Sequence, residues 1–140
     1  MPTLLRDRIG HMQDAIANIR KIRIDASDEQ IRRDPILRAA LERFFEIVSE
    51  ASRHIPEERR VAHPHIPWKR IAGIGNVLRH AYDGVDVDLL LDTAGTELDA
   101  LEQAINALLD DLSERKKAGA ARRPRPPHGH DRRGDTYRQP

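Results

Sequence analysis

The stretch LDTAGTELDALEQAINALLDDL, residues 91–112, decides the fold. Leu91, Ala94, Leu98, Leu101, Ile105, Leu108 and Leu112 recur at alternating spacings of three and four, the period of one helical face. Asp86 stands ahead of them as an N-cap, so one amphipathic helix is expected to start there and run to about Leu112. The alternation Val85-Asp86-Val87-Asp88-Leu89 is too short to stand as a strand, and nothing else in the chain alternates. A sheet is rejected.

The same period continues upstream. Leu5, Ile9, Met12, Ile16 and Ile19 form a stripe that predicts a first helix over roughly 3–22. Ser27 is placed to cap a short element, Asp28–Arg33. Asp34 is placed to cap the next helix, with Pro35 at its first position, where a missing N–H costs nothing. That long helix should reach about Ile55, with Leu37, Leu41, Phe44, Val48, Ala51 and Ile55 inward and Phe45 and Ile47 widening the face. Pro56, Pro64 and Pro67 mark a loop with one short turn. A fourth helix begins near Trp68, whose ring should anchor it to the core, and Gly84 ends it. Gly73 and Gly75 inside this helix each cost about 1 kcal/mol relative to Ala, which suggests close approach of a neighbouring backbone. The expected fold is therefore all-α: an antiparallel, up-and-down bundle of four to five helices over residues 1–112.

Composition limits the function. The 140 residues, 39% apolar, suffice for one modest core. There is no Cys, which excludes a disulfide framework, a thiolate zinc site and a thiol nucleophile and fits a reducing compartment. The start MPTLLRDRIGH is charged by its sixth residue and fits neither a signal peptide nor a membrane span, so a soluble, cytoplasmic protein with no membrane partner is expected. Residues 113–140 hold 9 of the 24 basic side chains and 3 of the 23 acidic ones, so the basic character belongs to the tail. Four prolines, three glycines and one large apolar residue, Tyr137, predict disorder there after about residue 115. The tail's arginines suit solubility or phosphate backbones without sequence preference.

Chemistry is expected where polar groups gather on one helical face. Asn76, Arg79, His80 and Asp83 stand at i, i+3, i+4 and i+7. His80 is the one group among them able to move protons near neutral pH. With Arg79 beside it, it suits acid-base work on a phosphodiester; the same spacing also describes an ordinary solvated patch. Glu46 and Glu50 read as a solvated pair with Arg43 and Arg53 close enough to neutralise them. His54, His63 and His65 lack carboxylate or thiolate partners at ligand spacing, so no metal site is expected.

Pro67-Trp68, Ile71-Ala72-Gly73, Asn76, His80-Ala81-Tyr82 and Gly84-Val85-Asp86, with Glu50-Ala51-Ser52 on the preceding helix, resemble the HepT-like family of the HEPN superfamily over about residues 1–112. The resemblance implies a small all-α homodimer that cleaves RNA without a metal or cofactor. It also implies the toxin half of a type VII toxin–antitoxin pair, silenced by an MNT-type nucleotidyltransferase that transfers AMP to the hydroxyl matching Tyr82. The family motif is Arg, four to six residues, His, then Tyr two positions on. His80 and Tyr82 match it. The motif arginine should fall at 73–75, where this chain has Gly73, Ile74 and Gly75. Arg79 and, less well placed, Arg70 are the substitutes within reach. Loss of the arginine raises two rivals: a non-catalytic bundle that binds or regulates a nucleotidyltransferase, and a nucleic-acid adaptor working through the tail.

Overall fold

The computed structural model describes residues 4–81 and 86–121. Among them the chain forms seven helices and no strand: α1 (Leu5–Asp25), α2 (Asp28–Arg33), α3 (Pro35–Ser52), α4 (Glu57–Arg60), α5 (Trp68–Arg79), α6 (Val87–Thr96) and α7 (Leu98–Ala121). They make an all-helical bundle. None of these helices is long and apolar enough to cross a membrane.

Caps set the boundaries that local chemistry can set. Ser27 Oγ accepts the Gln30 N–H at 3.2 Å while Gln30 Oε1 accepts the Ser27 N–H at 2.8 Å, a complete capping box for α2. Asp34 accepts the Ile36 N–H at 2.9 Å and starts α3 with Pro35 behind it. Asp86 accepts the Asp88 N–H at 3.0 Å and starts α6.

The core runs through one contiguous cluster. Ile9, Met12, Ala15, Ile16 and Ile19 of α1 are buried, as are Leu41, Phe45, Val48 and Ala51 of α3 and Ile71 and Ile74 of α5. α3 is the hub, packing against α1, α2, α5 and α6, while α1 also packs against α7. The α3 stripe is rotated from the expected one: Phe45 faces the core and Phe44 is only partly buried. Arg20 of α1 reaches Asp99 and Glu102 of α7, and its hydrogen bond to Asp99 raises its proton affinity above the ordinary guanidinium value. An ion-pair network this exposed adds little to stability.

Besides α1, which runs to Asp25 where about Ile22 was expected, and the end of α5, described with the site, three boundaries correct the sequence reading. The helix expected from Asp86 to Leu112 is two helices, broken at Glu97 (φ −115°, ψ −19°). Thr93 Oγ1 donates to the Leu89 carbonyl at 2.7 Å and Thr96 Oγ1 to the Asp92 carbonyl at 2.9 Å, bonds that compete with the helix ladder and bend it. Gly95 between them lowers the cost of the break. The apolar stripe still runs across it, because Leu91, Ala94, Leu98, Leu101, Ile105 and Leu108 are all buried. Second, α3 ends at Ser52, not Ile55, although Ile55 is buried after a tightened last turn. Third, α7 continues to Ala121, so residues 113–121 are helical where disorder was expected from about 115. Extending a formed helix by one residue costs far less than starting one, so a segment with no core contacts can still be helical. The remainder of the expected tail, 122–140, lies outside the described residues.

Candidate functional site

α5 carries the candidate residues, and its start is pinned by Trp68. The indole is buried, and its Nε1–H donates to the carbonyls of Arg60 (3.1 Å) and His63 (3.0 Å), so the anchoring role expected of Trp68 is what the structure shows. This ties the proline-rich loop to the foot of the helix.

Halfway along, α3 grips α5 through a buried hydroxyl. Ser49 Oγ donates to the Ala72 carbonyl at 2.9 Å and accepts the Gly75 N–H at 2.9 Å. Arg53, which sequence spacing had paired with the α3 carboxylates, instead donates to the same Ala72 carbonyl at 2.8 Å. The close approach expected of the two glycines holds for one of them. A Cβ on Gly75 would lie 2.8 Å from Ser49 Oγ, whereas one on Gly73 would meet nothing within 4 Å. Spacing alone did not single out Ser49. Its signal was a small polar residue on the inward face of an apolar helix, opposite a Gly-x-Gly.

This contact yields a coupled prediction. Gly75→Ala gains about 1 kcal/mol of helix propensity but displaces a buried hydroxyl that satisfies two backbone groups, a loss of about 1–3 kcal/mol. The single variant is expected to be less stable in urea melts. In a Ser49→Ala background the same change should be neutral or stabilising, with a coupling of about 1 kcal/mol or more across the cycle. Additive effects would show that the hydroxyl does not bridge the helices.

The end of α5 gathers three of the five expected site residues. Asn76 and Arg79 are exposed on its last turn, and His80 is the C-cap, with φ −107° and ψ 10° and its N–H donating to the Asn76 carbonyl at 3.2 Å. The expected helical patch is thereby shortened: the helix stops at Arg79 where Gly84 was expected to end it, because His80 leaves helical geometry. Tyr82, Asp83 and Gly84 lie outside the described residues. Arg79 folds back along its own helix, so that its Nη1 lies 3.3 Å from the position a Cβ on Gly75 would take. The missing side chain at 75 thus leaves room for a guanidinium. Arg70, the other substitute, points to Glu97 at 3.9 Å.

The remaining candidates are spread elsewhere. His54 pairs with Glu50 at 3.3 Å, Arg43 with Glu46 at 3.4 Å, and the His63 and His65 rings meet edge-on. Among the described residues no group of three or more His, Asp or Glu is arranged to hold a metal ion. Among the described residues a cavity of about 810 Å³ lies between α1, α2 and α3, and none of Asn76, Arg79 and His80 lines it.

Comparison with known proteins narrows the chemistry. A family model described as "Ribonuclease HepT-like" matches residues 12–108. The chain is 37% identical over 59% of its length to a Caldanaerobacter subterraneus protein named "Putative RNase TTE0752", covering 74% of that protein. It is 32% identical over 79% of its length to the Methanocaldococcus jannaschii "Putative RNase MJ0125", covering 92% of it. It is 33% identical over 69% of its length to the Thermococcus cleftensis "Probable ribonuclease HepT", covering 88% of it. No solved structure matches.

Proposed function

Because the chain belongs to the HepT-like ribonuclease family, we propose that it is an endoribonuclease in which His80 moves protons and Arg79 supplies the cation that the family motif places at position 75. The observation that carries this reading is the Arg79 guanidinium folded back over Gly75, one residue before His80. In the proposed reaction His80 accepts the proton of a ribose 2′-hydroxyl as the 2′-oxygen attacks the adjoining phosphorus. The new O2′–P bond replaces the P–O5′ bond, and the departing 5′-oxygen takes a proton from an acid. The products are a 2′,3′-cyclic phosphate and a 5′-hydroxyl. Arg79 stabilises the charge that grows on the phosphorane oxygens, and Asn76 donates a hydrogen bond to them. No metal enters this scheme.

One histidine per chain supplies half of the required acid–base pair. A homodimer with two His80 residues facing one cleft supplies both halves. The regulatory half of the proposal is that the protein is the toxin of a toxin–antitoxin pair in the cytoplasm. A cognate nucleotidyltransferase antitoxin then silences it by transferring AMP to the Tyr82 hydroxyl. An intact-mass gain of one or more AMP units on co-expression, abolished by Tyr82→Phe, tests that step.

Cleavage itself is tested with the purified, unmodified chain on RNA in chelator. Arg79→Ala is expected to lower the rate by about 30- to 1000-fold, corresponding to about 2–4 kcal/mol of lost transition-state stabilisation. An unchanged rate would remove Arg79 from the scheme. The second reading, a non-catalytic bundle that binds or regulates a nucleotidyltransferase, draws on Gly75 itself, since the Ser49 hydroxyl would have to shift before any side chain could stand there. Absence of cleavage from a folded, unmodified dimer on several RNA classes would favour it.

A further inference from the structure

A cavity of about 280 Å³ opens between α1, α3 and α5, with Arg79 on its wall together with Arg8 and His11 of α1 and Arg43, Glu46 and Glu50 of α3. Among the described residues, Arg8 and Arg79 have no ion-pair partner, whereas Arg43 is held by Glu46 at 3.4 Å and Glu50 by His54 at 3.3 Å. Each carboxylate has four lone-pair sites, so each keeps accepting capacity after these contacts. The cavity therefore presents two unpaired guanidinium groups beside two acceptor-only groups. Its volume lies just under the range of about 300–1,000 Å³ that holds drug-sized ligands, which suits one nucleotide unit and not a helix.

We propose that this cavity takes one unpaired nucleotide of the RNA substrate next to the cleaved bond, with its phosphate held by Arg8 and the Watson–Crick edge of its base facing Glu46 and Glu50. The inference rests on the ribonuclease reading, because Arg79 places the scissile phosphate at the cavity's rim. Carboxylates select for donors. Guanine offers N1–H and N2–H side by side, which a carboxylate can accept together. Uracil offers one N–H between two carbonyls that repel it. A base already paired in a duplex has no free edge to offer, so the cavity also selects single strands.

The test measures binding without cleavage. The probes are fluorescein-labelled 2′-O-methyl oligouridylates whose central residue is G, A, C or U, titrated by anisotropy against the full chain. The methylated probes lack the nucleophile. The wild-type protein is expected to prefer the G probe over the U probe by about tenfold. Glu46→Gln combined with Glu50→Gln should erase that preference. Arg8→Gln should weaken all four probes by similar factors and reduce the slope of log affinity against log salt by about 0.7. Equal affinity of the wild type for all four probes overturns the base-reading role, and that arm needs no variant to fold. A folded Arg8→Gln chain with unchanged affinity and salt slope overturns the phosphate contact. A wild-type chain that discriminates among probes yet cleaves no RNA overturns the ribonuclease reading, and with it the place beside a cleaved bond, and leaves only the base-reading role of the cavity standing. One that cleaves RNA without discrimination does the reverse.

Discussion

Replacing His80 with Ala is expected to lower RNA cleavage by about 10²- to 10⁴-fold, the usual contribution of a positioned acid or base. The structure makes this variant easy to interpret. His80 is exposed, and among the described residues it is held by its backbone N–H to the Asn76 carbonyl, which alanine retains. Far-UV circular dichroism and the urea midpoint should therefore match the parent while the chelator-resistant cleavage disappears. Cleavage that persists at the parental rate in a folded His80→Ala chain would place the chemistry elsewhere. Paired with Arg79→Ala, the variant also separates the two roles. Loss of a proton-transfer group changes the pH dependence of the residual rate, whereas loss of a fixed charge lowers the rate at every pH.

Phe45→Ala is expected to cost about 3–5 kcal/mol, the upper range for truncating a buried side chain. Phe45 is 2% exposed on the hub helix α3. With Val48, Ile71, Ile74, Thr93, Glu97, Leu98 and Leu101 it borders a void of only about 10 Å³, so the junction of α3, α5, α6 and α7 is already filled. Truncating the ring leaves a hole that four helices would have to move to close, and helices this well packed relax only in part. Urea unfolding should show the midpoint fall with the slope retained. A loss under about 1 kcal/mol would mean that the junction collapses onto the smaller side chain.

The fold was legible wherever a boundary is made by one residue acting on its neighbours. Ser27, Asp34 with Pro35, and Asp86 begin their helices as local hydrogen bonding dictates. The break at Glu97 was hidden because the apolar stripe passes across it unbroken, and periodicity records which face is buried, not whether the axis is continuous. The rotation of α3 toward Phe45 was hidden for a related reason. Phe44 and Phe45 both fit a wide apolar face, and it is Phe45 that borders the same small void as Ile71 and Ile74 of α5 and Leu98 and Leu101 of α7. At the site, the placing of Asn76, Arg79 and His80 together at one end of a helix could be read from their spacing. The Ser49 bridge and the cavity shared by Arg8, Glu46 and Arg79 could not, since sequence spacing carries no information on which faces of distant helices meet. Gly73 and Gly75 show this limit in one residue type: they are two positions apart, yet one faces open space and the other a buried hydroxyl.

Trp68 is the chain's single tryptophan, and its indole hydrogen is shared at the foot of α5 between the carbonyl of Arg60, which ends α4, and that of His63 in the loop beyond. Fluorescence excited on the long-wavelength edge, where the two tyrosines no longer absorb, therefore comes from an emitter at one known place. It gauges whether the loop from Arg60 to Ile66 stays seated against the helix that ends in His80, and it is insensitive to fraying at the far end of α7. Emission and circular dichroism are then two different clocks on the same molecule, one timing the departure of the site's own helix and the other the melting of the bundle as a whole.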